Sequence, residues 1–293
     1  MDYKQKYAAY LSLAEKRIGE LAPELLPQTS EVGRAAMYSL TGGGKRVRAI
    51  LVLAACEMLG VDIAAAADFA VAVEMLHCYS LIHDDLPCMD DDDFRRGRPS
   101  CHKAYGEATA LLAGDTLQTA AFEAISHAPL PAEARIKAVQ QLSLAAGDRG
   151  MVYGQEIDLF YESHQATEDQ LKTIHHYKTG ALINAAVQMG ASAAGAAPED
   201  HAALEKFAFD IGLVFQIVDD VLDVTSTQEE LGKPIGSDSQ NGKTTYITLH
   251  GAEGAMALAG SINEKACLAL KERYGERAEF LLSLANNLLT RRN

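Results

Sequence analysis

Apolar residues recur at helical spacing along almost the entire chain. Two clear examples are DFAVAVEMLHCYSLIHDD (68–85) and EKFAFDIGLVFQIVDDVLDV (205–224), where apolar positions lie three or four residues apart. Runs that alternate apolar and polar residues and are rich in Val, Ile and Thr are scarce, so strands are not indicated. The pattern predicts roughly ten or more helices and an all-α fold.

Turn signals rich in Gly and Pro separate these predicted helices. They are LAPELLP (21–27), TGGGK (41–45), HAPLPAEA (127–134), AAGAAPED (193–200) and LGKPIGSDSQNGK (231–243). No low-complexity linker divides the chain. We therefore expect a single helical domain that spans residues 1–293.

Composition narrows the class of protein. The chain has 293 residues, of which 48% are hydrophobic, so it is long enough for a sizeable core and too apolar to be disordered. No apolar run approaches the ~20 residues that span a bilayer, and the N-terminus does not resemble a signal peptide. Five cysteines without a CxxC pair indicate free thiols in a reducing compartment, so we expect a cytoplasmic protein. The net charge of −14 argues against a nucleic-acid partner.

The segment HDDLPCMDDDDFRRG (83–97) concentrates aspartates to an unusual degree. Like charges this close repel one another, so the segment is either a solvated acidic loop or the site of a multivalent cation. Asp84 and Asp90 are six residues apart and would face different sides of an ideal helix. Pro87 lies between them and favours a break in the helix, which would return Asp90 to the side of Asp84.

A second aspartate set follows an apolar run in QIVDDVLD. Asp219 and Asp223 are one helical turn apart on the same face, with Asp220 beside them. A solvated helix end is the simplest interpretation of this set alone. Metal sites in helical bundles, however, are built from carboxylates on facing helices. Since Mg²⁺ is commonly held by one or two carboxylates together with substrate phosphates, the two sets predict magnesium and a phosphorylated substrate.

Basic residues cluster at three places in this acidic chain. TGGGKRVR (41–48) follows its glycines with Lys45, Arg46 and Arg48, FRRG holds Arg95 and Arg96, and YKTG holds Lys178. Each cluster alone is compatible with a solvated surface. Because arginine can bind an anion through two parallel hydrogen bonds, the clusters together favour an anionic ligand.

These motifs, in this order, resemble those of the short-chain trans-prenyl diphosphate synthases, and most closely the bacterial farnesyl diphosphate synthases. The resemblance rests on GGGKRVRA (42–49), HCYSLIHDD (77–85), DDLPCMDDDDFRRG (84–97), GMVYGQEIDL (150–159), HHYKTGAL (175–182), FQIVDDVLD (215–223), GKP (232–234) and GKTTY (242–246). It covers nearly the whole chain.

The resemblance implies an antiparallel helical bundle of the isoprenoid synthase type with a central apolar cavity. It implies a Mg²⁺-dependent, head-to-tail condensation of isopentenyl diphosphate with dimethylallyl and geranyl diphosphate, which releases inorganic diphosphate. Three Mg²⁺ ions per active site, which Mn²⁺ can replace, and a homodimer are expected from the same resemblance. Geranyl and geranylgeranyl diphosphate synthases of the same family are the alternative.

The resemblance also assigns roles to individual residues. The metal ligands and their supporting carboxylates are Asp84, Asp85, Asp90, Asp219, Asp220 and Asp223. The allylic diphosphate is expected to contact Arg95 and Lys178, with Lys233 nearby. The isopentenyl diphosphate pocket corresponds to Lys45, Arg48, His77 and Arg96. Lys178, Thr179 and Gln216 form the catalytic set, of which Thr179 and Gln216 face the reacting carbons and the leaving group.

Tyr79 and Ser80 lie about one turn before Asp84, where they are expected to border the channel for the growing product. A large residue at position 79 would close this channel, and the family pattern of an aromatic there implies a C15 product. An ordinary tyrosine at a helix interface is the simpler interpretation.

Three other classes share some of these features. An α-helical metal-dependent phosphohydrolase uses a His-Asp pair such as His83–Asp84, but it gives no reason for DDVLD or FRRG. A terpene cyclase has no second diphosphate to bind, so Lys45, Arg48 and Arg96 would be unexplained. A non-catalytic subunit of a heteromeric synthase would be expected to lack aspartates that are intact here.

Overall fold

The computed structural model describes residues 2–225 and 243–291, and within them nearly all regular structure is helical. The α-helices are α1 (Tyr3–Leu25), α2 (Glu31–Leu40), α3 (Val47–Met58), α4 (Ala67–Asp84), α5 (Cys101–Tyr105), α6 (Glu107–His127), α7 (Ala132–Ala146), α8 (Met151–Glu162), α9 (Glu168–His175), α10 (Ala181–Ala193), α11 (Pro198–Thr225), α12 (Tyr246–Tyr274) and α13 (Glu279–Thr290). The all-α prediction is confirmed.

Short elements join some of these helices. A 3₁₀ turn precedes α4 (Ile63–Ala66), another precedes α13 (Gly275–Ala278), and a π-helical turn (His176–Gly180) links α9 to α10. Two-residue strands, β1 (Phe94–Arg95) and β2 (Arg98–Pro99), pair antiparallel as a hairpin. This hairpin is the only sheet in the described part of the chain, and the sequence pattern did not indicate it.

The chain divides into two compact units. The first comprises Met1–Val139 with Ser192–Gly195, and the second comprises Gln140–Ala191 with Ala196–Asn293. The first unit carries the first aspartate set, and the second unit carries the other. That residues 1–293 act as one catalytic domain stays a prediction.

Helix α4 is the centre of the first unit, where it packs against α3 and α6. Every residue from Ala67 to Leu76 is buried, including Glu74. Glu74 accepts a hydrogen bond from the backbone N–H of Ala49 (3.0 Å) and pairs with the buried Arg46 (3.4 Å). Because buried charges need partners, these contacts fix the start of α3 and the preceding glycine-rich turn against α4.

Helix α4 and the turn before it also meet one criterion for a membrane span. Ile63–Asp84 is long and apolar enough by length and composition, with a mean hydropathy of 1.4. The expectation that no part of the chain is apolar enough is therefore wrong for this stretch. Since 78% of that window is buried inside the protein, its hydropathy is that of a core helix.

Helices α11 and α12 pack together in the second unit and share an apolar cluster. The cluster includes Val214, Ile217 and Val218 from α11 and Tyr246 from α12. Helix α12 begins with a capping box, in which Thr245 accepts from the backbone N–H of Thr248 and the Thr248 side chain accepts in return. This cap fixes the point at which the chain joins α11.

The turn signals in the sequence are mostly confirmed. The glycine-rich segment 41–46 is not helical, α6 ends at His127 before the next signal, and Pro198 is the first residue of α11. The exception is LAPELLP, because α1 continues through Pro23 to Leu25. Most of the signal at 231–243 lies outside the described residues.

Gly154 on α8 allows an unusually close approach to the π-helical turn. A Cβ atom at this position would lie 2.1 Å from the backbone nitrogen of Lys178 and 2.6 Å from the carbonyl carbon of Tyr177. Both are backbone atoms, so the clash could be relieved only by moving the turn that carries Lys178 and Thr179.

We predict that Gly154→Ala lowers the free energy of unfolding by at least ~2 kcal/mol, because overpacking against backbone leaves no side chain to adjust. Gly260→Ala on α12 is the matched control, since its Cβ meets nothing within 4 Å. It should be neutral or stabilising by up to ~1 kcal/mol through helix propensity. Urea denaturation of both variants checks this, and equal stabilities would contradict it.

Candidate active site

The first aspartate set lies where α4 ends. Asp84 is the last residue of the helix, and the chain then turns so that the backbone N–H of Asp90 donates to the carbonyl oxygen of Asp84 (2.8 Å). The N–H of Asp91 donates to Leu86 in the same turn (3.2 Å). The backbone at Asp90 therefore returns to the end of α4, as the break at Pro87 predicts.

Asp85 differs from its neighbours because it is buried and paired. Arg95 donates to its Oδ1 through Nε (2.8 Å) and again through Nη2, and Nη2 also reaches Asp92 (2.8 Å). Burial raises the pKa of the Asp85 carboxyl, while the pairing with Arg95 opposes this. Arg95 thus anchors the β-hairpin to α4, and the predicted roles of Asp85 at the metal and Arg95 at the allylic diphosphate stay predictions.

The hairpin turn presents Arg96 to the glycine-rich segment. Arg96 and Gly97 both have positive φ (55° and 75°), as a two-residue type I′ turn requires. The Arg96 guanidinium donates to the carbonyl oxygen of Gly43. At Gly44, a Cβ would lie 2.7 Å from the guanidinium carbon. The absence of a side chain at Gly44 therefore leaves room for the guanidinium of Arg96.

His77 on α4 lies in the field of several arginines. Burial lowers its pKa well below the usual value, and Arg48, Arg96, Arg46 and Arg95 lower it further. Three residues of the predicted isopentenyl diphosphate pocket, Arg48, His77 and Arg96, are thus close enough to interact electrostatically. The fourth, Lys45, is exposed in the adjoining glycine-rich turn. The structure brings these parts of the predicted pocket to one place in the first unit.

Tyr79 and Ser80 lie on α4 between His77 and Asp84. Tyr79 is buried, with its ring edge-to-face against that of His83 (5.4 Å between centroids). Burial and the nearby charge of Asp84 raise the pKa of its hydroxyl to about 12. Ser80 donates to the carbonyl oxygen of His77 (2.9 Å). Tyr79 therefore packs one turn below the aspartate set, where the sequence expects the end of the product channel.

The second aspartate set occupies the last two turns of α11, in the second unit. Asp219 accepts from Arg291 just beyond α13 (2.6 Å) and from Gln216 (3.3 Å). Arg291 also donates to the carbonyl oxygen of Phe215 and lies over that ring (3.8 Å to the centroid). The C-terminal segment thus contacts the first aspartate of this set; Arg292 lies outside the described residues.

Asp220 and Asp223 are both buried on α11. Asp220 accepts from the backbone N–H of Tyr246 (2.8 Å), so it helps to hold the start of α12. Asp219 and Asp223 are one turn apart, because α11 is helical throughout this segment. Asp220 therefore has a structural function in addition to any metal-supporting one.

Lys178 and Thr179 lie in the π-helical turn, an irregularity often found at functional sites. Thr179 donates to Gln216 (2.7 Å), which in turn donates to Asp219. Thr179 and Gln216 of the predicted catalytic set are thus joined to Asp219 of the predicted metal set in one hydrogen-bonded chain. Lys233, the remaining predicted cation, lies outside the described residues.

Lys178 has a partner that no sequence pattern indicated. Its ammonium group is 2.6 Å from the buried carboxylate of Asp158, which also binds Lys243 (2.8 Å). Burial would raise the pKa of Asp158, but the two lysines together hold it below its usual value. Asp158 lies in GMVYGQEIDL and Lys243 in GKTTY, two of the motifs that carry the family resemblance. The motifs mark these segments, but nothing in them singles out either residue.

The donor chemistry of both sets fits Mg²⁺, which prefers carboxylate oxygens. In the first unit, the backbone bond between Asp84 and Asp90 holds two such carboxylates at the same turn. In the second unit, Asp219 is half-buried at the end of the hydrogen-bonded chain from Thr179. That Asp84, Asp90 and Asp219 bind the ion directly stays a prediction.

Comparison with known proteins places these residues in a wider context. The sequence model of the family "Polyprenyl synthetase" matches residues 29–275. Farnesyl diphosphate synthase of Escherichia coli is 44% identical over 280 residues, which cover 93% of this chain and 92% of that protein. Geranylgeranyl pyrophosphate synthase 11 of Arabidopsis thaliana is 44% identical over 274 residues, or 92% and 77% of the two chains. The crystal structure of a Helicobacter pylori geranyltransferase complexed with magnesium and isoprenyl diphosphate is similar to this structure with a TM-score of 0.83 and 33% sequence identity. The match covers 96% of this chain and 98% of the Helicobacter pylori chain.

His175 predicts how stability depends on pH. Burial lowers the pKa of His175 to about 4 in the folded protein, whereas the ordinary pKa of histidine is ~6.5. Between these two pH values, the unfolded chain binds a proton at His175 and the folded protein does not. The stability from keeping His175 neutral is present above pH ~6.5 and is lost as the pH falls towards ~4. Since glutamine does not titrate, we expect the free energy of unfolding of His175→Gln to fall by roughly 1–3 kcal/mol less than that of the wild type between pH 7 and pH 5. Urea denaturation at pH 7 and 5 checks it, with exposed His127→Gln as the control; parallel curves for His175→Gln and wild type would contradict it.

Proposed function

Because this chain belongs to the polyprenyl synthetase family, we propose that it is a farnesyl diphosphate synthase. It adds isopentenyl diphosphate to dimethylallyl diphosphate and then to geranyl diphosphate, with loss of inorganic diphosphate at each step. Synthesis of trans-prenyl diphosphates is the activity of the family as a whole. The proposal that the product is C15 rests on residues of the first unit.

The observation that carries the proposal is the spacing along α4. His77 and Asp84 are seven residues apart, which puts them on the same face at about 10 Å. The arginines gather around His77, and the aspartate turn begins at Asp84. A reaction that joins the carbon chains of two diphosphate substrates needs two diphosphate-binding sites. One can be formed by cationic side chains and the other by metal ions. A terpene cyclase would use only the second, so the cations around His77 favour the synthase.

The residues of the first site bind isopentenyl diphosphate. Arg48 and Arg96 supply planar guanidinium groups that can each donate two parallel hydrogen bonds to a phosphate. His77 remains neutral at physiological pH because its pKa is depressed, so it contributes a hydrogen bond without a further charge. The approach of Arg96 to Gly43 holds one of these cations in position before substrate arrives.

The C–O bond of the allylic substrate breaks to give a carbocation and inorganic diphosphate. The double bond of isopentenyl diphosphate attacks this carbocation, and the cation so formed loses a proton to the released diphosphate, which gives the longer allylic diphosphate. Bound at Asp84, Asp90 and Asp219, magnesium would stabilise the charge on the departing diphosphate. Lys178 adds a fixed positive charge, and Asp158 holds its ammonium group in place. The Thr179 and Gln216 side chains orient each other beside Asp219 and present oxygen atoms to the cationic carbons.

Further parts of the proposal rest on the resemblance alone. They are three Mg²⁺ ions per site with Mn²⁺ as a substitute, a homodimer, a cytoplasmic location and supporting roles for Asp85, Asp220, Asp223 and Lys233.

The first experiment is incubation of the purified protein with dimethylallyl and isopentenyl diphosphates and Mg²⁺, followed by separation of products by length. We expect C15 diphosphate, its loss with a chelator, and a ~10²–10³-fold lower rate in Asp84→Asn and Asp219→Asn, since each removes a carboxylate that would hold Mg²⁺ against the departing diphosphate. Asp148→Asn, at an exposed position, should leave the rate unchanged. Cyclic hydrocarbon without elongation would refute the proposal.

Geranylgeranyl diphosphate synthesis is the second candidate. The Arabidopsis thaliana protein of that name is as similar in sequence as the E. coli farnesyl diphosphate synthase. Overall similarity therefore does not favour C15 over C20, and the decision depends on the channel below Asp84. The buried ring of Tyr79 supports the shorter product.

We predict that Tyr79→Ala shifts the product from C15 towards C20 and longer, because removal of the ring opens space one turn below the aspartates. Tyr79→Phe keeps the ring and should keep C15, and Tyr105→Ala removes an aromatic residue elsewhere in the unit. Product lengths are measured well below the melting temperature, since loss of a buried aromatic costs about 3–5 kcal/mol. An unchanged distribution in Tyr79→Ala would show that Tyr79 does not limit length, and C20 from the wild type would favour the second candidate.

A further inference from the structure

Three side chains beyond Asp90 converge in the first unit. They are Asp91 and Asp93, in the loop before the hairpin, and His102 on α5; one potential ligand atom from each lies within 4.8 Å of the others. None of the three belongs to the roles assigned above. Asp91 and Asp93 are exposed, and clustered surface carboxylates alone would indicate nothing.

His102 provides the independent observation. Its side chain is only 3% exposed, and Nε2 is buried without a hydrogen-bond partner among the described residues. That nitrogen faces the carboxylates, 3.9 Å from Oδ1 of Asp91. A buried polar atom is normally satisfied by protein, water or an ion, so a buried ring nitrogen that faces two carboxylates has the surroundings of a cation ligand.

The surroundings of His102 orient its ring as in a metal ligand. The hydroxyl of Ser100 lies 3.1 Å from Nδ1, and both side chains are buried. When Nδ1–H donates to Ser100, Nε2 carries the lone pair; metal-bound histidines commonly have this arrangement, with the second nitrogen held by a neighbour. The backbone N–H of Ser100 also donates to the carbonyl oxygen of Asp93 (2.9 Å). Ser100 therefore contacts both His102, through its side chain, and Asp93, through its backbone.

We propose that Asp91, Asp93 and His102 bind one divalent ion of borderline hardness, best represented by Zn²⁺. Imidazole nitrogen favours zinc over magnesium, whereas carboxylate oxygens accept both. The two exposed aspartates can rotate to shorten the ligand distances around the fixed His102. Three protein ligands leave a fourth position for water, as in open zinc sites.

Lys103 is the competing cation. Its ammonium group is 2.7 Å from Asp93 and 4.0 Å from Asp91, so it partly neutralises the carboxylates when no ion is bound. Zinc displaces this ammonium group from Asp93. Removal of the Lys103 charge therefore tightens zinc binding, whereas a merely structural role for the cluster predicts no such gain.

The test is calorimetric titration of the full chain, stripped of metal and then saturated with Mg²⁺ to fill sites that use oxygen alone, with ZnCl₂. We expect one zinc per chain. Asp93→Asn and His102→Gln should each weaken it by at least ~tenfold, and Lys103→Met should strengthen it. Asp93 is exposed, so Asp93→Asn remains informative if His102→Gln does not fold.

Matched variants separate this site from other zinc ligands. Exposed His127→Gln should bind zinc like the wild type, and so should Cys88→Ser, which removes the exposed thiol of the aspartate loop. Zinc binding that is lost in Cys88→Ser or Asp84→Asn, or that is unchanged in Asp93→Asn, would overturn the proposal. The readout is metal binding, so it is independent of prenyl transfer.

Discussion

Two aspartates at the carboxyl end of a buried helix are the constraint on which the first unit depends. The C-terminal end of a helix carries negative partial charge, so Asp84 and Asp85 are unfavourable there unless cations compensate. The protein compensates Asp85 with the guanidinium of Arg95, supplied by the hairpin ten residues later. Asp84 and the returning Asp90 lie at the same turn, and carboxylate oxygens suit a hard divalent ion.

The second unit meets a similar constraint with different partners. Asp219 and Asp220 also lie near the carboxyl end of α11, where Arg291 and the backbone N–H of Tyr246 satisfy them. At the buried Asp158 the ratio of charges is the opposite, because a single carboxylate pairs with the two ammonium groups of Lys178 and Lys243. In both units, ion pairs within the protein fix charged groups in place. For the proposed reaction, such preorganisation would let them stabilise developing charge without rearrangement.

Sequence patterns predicted the helices and turns that depend on neighbouring residues along the chain. The apolar period predicted α4 and α11, Pro87 predicted the return of Asp90, and glycines predicted the turn that Arg96 approaches. They could not anticipate pairs between distant segments, such as Asp158 with Lys243, 85 residues apart, because no periodicity links them. Nor could they reveal that Arg95 pairs with Asp85 or that the chain forms two compact units, since both depend on tertiary packing.

The same reasoning explains why sequence similarity leaves product length open. Proteins named for C15 and C20 products match this chain at the same identity. What a diphosphate reaction demands is an arrangement of charges, and charges interact over long distances, so many residues are constrained together. The length of an apolar channel, by contrast, depends on the volume of the few side chains that close it, because apolar contacts act only at van der Waals range. In the proposed function, the buried ring of Tyr79 is such a side chain.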